Sequence, residues 1–449
     1  MTLLAINWAE VGIKAGQFIL SISIIVVLHE LGHFLTAKWF KCRVEKFYLF
    51  FNPWFSLFKK QIGETEYGIG WIPFGGYVKI SGMIDESMDK EQLKQAPQPW
   101  EFRSKPAWQR LIIMVAGVTV NLILGFLIYT MMAWHWGDSY IPTNGLKYGI
   151  ATDSLAQSIG LKDGDKILSV DGKYIEKFKA IPLHVILSGS KTIEVQRDSE
   201  KVTVNIPDDF ARKVISNKAI GFIDVNIPFE GIDTVAKNSA ADSAGLKKGD
   251  KILSVNGIAV PLYGVFRSQI RKNKGKEIAL VVVRGNDTLQ KTAKLTTGVL
   301  GIYPVDPKDS GYTVKNIKYS FAESIPAGLR KSKETLQSYW LQLKLIFSGK
   351  VNTNESLGSV ISFGKLFAPV WDWQSFWSLT AFFSLVLSLL NILPIPALDG
   401  GHALFVLIEM ITGRKPGDKF IEYAQMAGMF LLLGVMVYAL GLDILRLFK

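Results

Sequence analysis

Residues 15–37 read AGQFILSISIIVVLHELGHFLTA. Residues 15–28 carry no charge, and His29, Glu30 and His33 follow inside the same apolar run. An uncharged run of this length reads as a membrane-crossing helix, since about 20 helical residues span roughly 30 Å of hydrocarbon. Ionisable groups in such a helix are costly and mark function by default. His29 and His33 lie four residues apart, on one helix face. Both imidazoles can therefore meet one Zn²⁺, at ligand distances of about 2.0–2.1 Å, with Glu30 beside them as a general base acting on water. The alternative is a histidine pair hydrogen-bonded inside a helix bundle, with no metal.

The composition agrees with a membrane setting. Of 449 residues, 49% are hydrophobic and 20% charged, and the mean hydropathy is +0.22. These values exclude disorder and collagen-like repeats, and a single cysteine, Cys42, excludes an intrachain disulfide. The net charge of +12 does not point to nucleic acid, because no recognition motif accompanies it. Its basic residues crowd instead beside apolar runs: Lys38, Lys41, Arg43 and Lys46 after one, Arg414, Lys415 and Lys419 before another.

Four segments are long enough to span: about 15–37, 111–136, 373–398 and 423–442. No small-residue cleavage site follows the first, so it is expected to stay in the chain. Twelve Lys and Arg lie between Lys38 and Arg110, and the short link between spans three and four is basic as well. Both loops are expected on the cytoplasmic side, with the termini and residues 137–370 outside.

The outer region repeats itself. Residues 160–172, GLKDGDKILSVDG, recur as 245–257, GLKKGDKILSVNG, with 11 of 13 positions identical at an offset of 85. Each copy continues into a strand, a polar turn (Arg197-Asp198-Ser199, Gly285-Asn286-Asp287) and a second strand. Each closes on a similar block, Ile220-Gly221-Phe222-Ile223 or Leu300-Gly301-Ile302-Tyr303. This pattern resembles the PDZ domain, which binds extended peptides by strand addition; the alternative is a tandem spacer or steric screen without a ligand. Beyond the repeats, Leu336, Trp340, Leu343 and Phe347 fall at helical spacing, an amphipathic helix. The expected segments are 1–136, with the HExxH helix and second span; 137–226 and 227–310, the PDZ-like domains; 311–370, a helical linker; and 371–449, the second membrane part.

A catalytic zinc needs a third protein ligand and an open position. At membrane depth the candidates are Asp399, in NILPIPALDGGH (residues 391–402), and His402. Pro394 and Pro396 must interrupt the helix there. Asp399 could instead cap a short helix starting near Gly401, and Asn391 could cap the broken one.

A membrane HExxH with a distant NxxPxPxLDGG resembles the site-2 protease family of intramembrane zinc metalloproteases, and the resemblance covers nearly the whole chain. It implies a polytopic α-helical membrane protein of about four transmembrane helices, with two inserted PDZ-like domains and a membrane-associated β-hairpin loop. It implies one zinc, held by His29, His33 and Asp399, with Glu30 as catalytic base and Asn391 holding the substrate backbone. Phe74-Gly75-Gly76-Tyr77-Val78-Lys79 resembles the family's re-entrant loop, whose strand edge can pair with an unwound substrate. Gly117 and Asn121 match its G-x-x-x-N, with Val118 where proline is usual. The substrates implied are single-pass membrane proteins in the lipid bilayer: an anti-sigma factor already trimmed by another protease, in a sigma-E stress response, and leftover signal peptides. The implied location is the bacterial inner membrane, with periplasmic PDZ-like domains, peptide C-termini as their ligands, and an active site towards the cytoplasm. Two rivals remain at this point, a membrane-anchored PDZ scaffold without activity and a metal transporter using the same three ligands.

Overall fold

The computed structural model describes residues 8–83, 96–217, 221–296, 298–305, 310–348 and 358–447. Its longer helices are α1 (Trp8–Trp39), α2 (Ala107–Trp136), α3 (Ile181–Ser188), α4 (Phe210–Ser216), α5 (Tyr263–Lys272), α6 (Phe321–Phe347), α7 (Trp373–Asn391), α8 (Asp399–Thr412) and α9 (Asp418–Leu447). The chain divides into two compact units: Met1–Gly137, Lys318–Trp340 and Leu357–Lys449 form one, Asp138–Ile317 and Leu341–Ser356 the other.

In the first unit, α1, α2, α7 and residues Lys419–Arg446 of α9 are long and apolar enough to cross a membrane. Lipid supplies no hydrophobic drive between such helices, so small residues and interhelical hydrogen bonds must hold them. Gly32 lets α1 approach α2 so closely that a Cβ there would lie 2.8 Å from the Ala116 carbonyl oxygen. The Thr380 hydroxyl donates to Ser21 Oγ at 2.9 Å, joining α7 to α1, and Ser384 donates to the Asn121 carbonyl at 2.7 Å, joining α7 to α2. At the far end of α9, Asp443 accepts from the backbone N–H and hydroxyl of Ser359 and from Ser362, pinning the helical turn Val360–Gly364.

The third span is shorter than its apolar run. It ends at Asn391 rather than Leu398, because Pro394 and Pro396 deny the helix its hydrogen bonds. Residues 392–398 turn back on themselves through bonds from Ile395 N–H to Leu393 O and from Leu398 N–H to Ile395 O. Helix α8 then starts at Asp399 itself, with Leu398 at the cap position. Asp399 is therefore not the N-cap of that helix, and Asn391 does not cap α7, where Ile392 holds the C-cap position.

Between α1 and α2 lies a four-stranded sheet of β1 (Val44–Phe51), β2 (Phe58–Ile62), β3 (Thr65–Ile69) and β4 (Ile72–Ile80), in the order β2-β3-β1-β4. Strand β4 runs antiparallel to β1, Tyr48 opposite Tyr77 and Leu49 opposite Gly76, and its other edge pairs with no strand among the described residues. Gly76 brings this strand onto α1, since a Cβ there would lie 2.7 Å from the Tyr48 carbonyl oxygen and 2.8 Å from a Val26 methyl.

The second unit contains both copies of the repeat, each with its own apolar core: Ile150, Ile167, Val185, Val195 and Phe222 in one, Ile232, Ile252, Phe266, Leu280 and Leu300 in the other. Each copy builds an antiparallel sheet, Lys166–Val170 with Thr192–Arg197 and Glu200–Asn205 in the first, Lys251–Val255 with Glu277–Arg284 and Asp287–Lys294 in the second. The first copy adds α4, whose Phe210 and Val214 enter its core. Ile220 of its closing block lies outside the described residues. Helix α5 of the second copy meets the first: the Asn226 carboxamide accepts from Gly264 N–H at 3.1 Å, and Gln157 donates to Ser268 at 3.0 Å.

Candidate active site

Helix periodicity puts His29 and His33 on the face of α1 that meets α2, and both are buried to 7% exposure. The start of α8 brings Asp399 to the same point. Asp399 Oδ2 lies 3.2 Å from His29 Nε2 and 3.4 Å from His33 Nε2, and the two Nε2 atoms are 3.4 Å apart. One ligating atom from each of the three residues thus falls within 4.8 Å of the others.

The protonation pattern decides what such a cluster can hold. His33 Nδ1 lies 2.7 Å from the Ile113 carbonyl oxygen. A carbonyl only accepts, so Nδ1 bears the proton, and in the neutral form of the ring the Nε2 lone pair faces Asp399. Lone pairs of imidazole nitrogen and a carboxylate oxygen then converge on one point, and Asp399 Oδ2 has no hydrogen-bond donor among the described residues. Converging acceptors repel unless a cation lies between them. Two imidazoles and one carboxylate are the donor set of a catalytic zinc site with an open position, and the residues present fit that ion.

Glu30 and Asn391 complete the surroundings. The Glu30 carboxylate takes a hydrogen bond from the Val78 backbone, so the catalytic-base candidate is tied to β4. Asn391 Nδ2, at the end of α7, lies 3.4 Å from His29 Nε2. A cavity of about 570 Å³ opens onto the cluster, lined by Glu30, Tyr77, Val78, His402, Gln425 and Met429 among others. Gly75, Gly76, Tyr77 and Val78 all lie in β4, as does Phe74, whose side chain lies outside the described residues. His402, the other third-ligand candidate, faces Gln425 at 2.9 Å and is not part of the cluster. His135 packs on Trp136 at the end of α2, and His184 lies on α3 in the second unit.

Several neighbours had no signal as site residues in the chain. Gln425, Met426 and Met429 belong to a segment legible only as a span, and Glu422 lies just before it, yet all four line the cavity. Nothing short-range announces them, because α9 reaches the cavity by tertiary packing alone.

Together these features define a membrane-spanning protein with a two-histidine, one-carboxylate centre at a cavity edged by a β-strand. Comparison with known proteins gives the class its name. The family description "Peptidase family M50" matches residues 17–435. The regulator of sigma-E protease RseP of Escherichia coli is 29% identical over 452 residues, covering 96% of this chain and 98% of that protein. The regulator of sigma E protease of Haemophilus influenzae is 27% identical over 96% of this chain and 98% of its own length. A Neisseria meningitidis protein, named provisionally as a zinc metalloprotease, is 30% identical over the same shares of the two chains. The chain belongs to Peptidase family M50, the site-2 proteases. It is a multi-pass membrane protein and an intramembrane zinc metalloprotease.

Proposed function

We propose that this protein hydrolyses peptide bonds within the transmembrane segments of single-pass membrane proteins, using one zinc held by His29, His33 and Asp399. The observation that carries the reading is the convergence of three lone-pair donors beside Glu30 in a cavity bordered by an edge strand. A peptide bond inside a helix is already hydrogen-bonded and hidden, so the substrate must first unwind. The open edge of β4 offers backbone groups to the unwound segment. The Asn391 carboxamide, beside His29, holds a further backbone group. Zinc, when bound, supplies Lewis-acid polarisation of the scissile carbonyl and lowers the pKa of water towards about 7. Glu30 takes the proton from the attacking water and delivers it to the departing amine, held for that task by its contact with Val78.

The two repeats act as PDZ-like domains, 137–226 and 227–310, on the periplasmic side of a bacterial inner membrane; the basic cytoplasmic loops support this orientation. They exclude substrates that still carry bulky outer domains. Size exclusion needs no ligand and is preferred to reading of new peptide C-termini. The substrate class proposed from the family resemblance is a trimmed anti-sigma factor, together with leftover signal peptides; the E. coli and H. influenzae relatives are themselves named only as sigma-E regulator proteases.

The test compares wild type with Glu30→Gln for zinc content and for cleavage of a single-pass substrate with and without its outer domain. Both proteins are expected to hold about one zinc, with cleavage by Glu30→Gln lowered about 10²–10⁴-fold. Zinc in both without cleavage by either favours a metal transporter, and zinc in neither favours a scaffold.

A further inference from the structure

Helix α2 presents one stripe to the two histidines: Ile113, Gly117 and Asn121, each four residues from the next. The Ile113 carbonyl oxygen meets His33 Nδ1 at 2.7 Å. Gly117 leaves room for both rings, since a Cβ there would lie 2.7 Å from His29 Cε1, 2.9 Å from His29 Nδ1 and nearer still to His33 Nε2. One turn on, the Asn121 carboxamide sits 3.2 Å from His29 Nδ1. Asn121 is fully buried, and its other carboxamide atom, Oδ1, has no partner among the described residues.

That pairing is the wrong way round for a ligand. A histidine that binds metal through Nε2 carries its proton on Nδ1 and must donate from it. The oxygen and nitrogen of a carboxamide occupy interchangeable positions, and with the amide turned over, Oδ1 accepts from His29 Nδ1–H. One rotation satisfies the orphaned oxygen and fixes the tautomer together.

We infer that Asn121 is a positioning residue for the metal centre: it holds His29 as the Nδ1–H tautomer, as the Ile113 carbonyl holds His33, so that both Nε2 lone pairs face Asp399. This rests on the zinc reading above. The rival explanation is helix packing alone. Packing is already served by the Asn121 backbone carbonyl, which accepts from Ser384 whatever the side chain.

The two readings part over chemistry at constant size. Full-length wild type, Asn121→Leu, Asn121→Ala, Asn121→Asp and His33→Ala are compared for zinc affinity by chelator competition. The d–d spectrum of each Co²⁺-loaded protein and the melting temperature of each metal-free protein are recorded alongside. Asn121→Leu and Asn121→Ala are expected to bind zinc about 10–100-fold more weakly, with an altered Co²⁺ spectrum. Asn121→Asp, whose carboxylate still accepts from Nδ1–H, keeps the affinity within threefold of wild type. The inference is overturned if the apolar variants bind as tightly as wild type, or if the aspartate variant loses as much as they do. It is overturned too if zinc loss merely follows a fall in metal-free melting temperature across the series. A wild type that binds no more zinc than His33→Ala sinks the zinc reading itself, and the positioning role with it.

Discussion

At the scale of single residues, the same substitution has opposite consequences on two helices. Gly117→Ala on α2 drives a methyl into both imidazoles. We expect purified Gly117→Ala to lose zinc stoichiometry and substrate cleavage together, as inductively coupled plasma analysis and a cleavage assay would read. Gly16→Ala on α1 meets open space. Replacing a helical glycine by alanine contributes up to about 1 kcal/mol, so Gly16→Ala should keep full zinc and activity and melt slightly higher. Equal effects at the two positions would contradict the packing described for α2. The same contrast explains what was legible in the sequence. His29, Glu30 and His33 declare themselves because helical spacing alone brings them together. Asp399 was visible as a charge ending an apolar run, with His402 as its rival until tertiary structure turned one towards the histidines and the other towards Gln425. Asn121 and Gly117 matched a family pattern, but their contacts with the imidazoles depend on how α1 and α2 cross, which no spacing encodes.

At the scale of elements, the repeat shows why thirteen residues stay alike while their surroundings drift. Gly164 and Gly249 adopt φ of 93° and 88°, where a side chain is strained. The following aspartates, Asp165 and Asp250, accept from the backbone N–H of Lys162 and Lys247, each at 2.8 Å. Each is also gripped by two nitrogens of an arginine at a strand end, Arg197 or Arg284, which donates as well to the carbonyl of Gly160 or Gly245. The arginines escape the offset of 85, because the second hairpin has strands of eight residues where the first has six. Periodicity therefore finds the loop and misses the clasp. Burial alone would push the Asp250 carboxyl up, but the Arg284 hydrogen bonds and the Lys247 N–H outweigh it and hold the group below the usual carboxylate range. The unfolded chain then binds the proton more readily than the folded one. This contribution is complete above the ordinary aspartate value of about 4, and it fades as pH falls through the lower folded value. Hydrogen exchange of strands Lys251–Val255 and Glu277–Arg284 in the full-length protein should lose protection, beyond the intrinsic rate change, as pH drops below about 4. In Asp250→Asn these strands should be less protected at pH 7 and respond less to acid. An unchanged acid response in that variant would remove the clasp as its cause.

At the scale of the whole molecule, the centre is assembled from distant pieces of chain. Asn391 meets His29 across 362 residues, and His33 meets α2 across 80. The stretch Asp138–Ile317 between these pieces folds largely around its own cores. A metal bound by His29, His33 and Asp399 therefore ties α1 to α8, and through Ile113 to α2, without touching the repeats. Binding to the folded state alone stabilises by RT ln(1 + [L]/Kd), about 4 kcal/mol when free zinc is a thousandfold above Kd. Chelation should remove that much from the membrane unit and nothing from the other. In detergent, a chelator is expected to lower the first unit's melting transition. It should also raise hydrogen exchange in segments 24–33, 113–121 and 399–406, while strands 251–255 and 277–284 keep their protection. His33→Ala should begin in the chelated condition and show no further response. If exchange rises equally in both units, or if His33→Ala responds like wild type, the metal does not join these three helices. If only the predicted segments respond, the ion is part of the fold that its own ligands build, and the loops flanking Asp399 hold their shape at the metal's command.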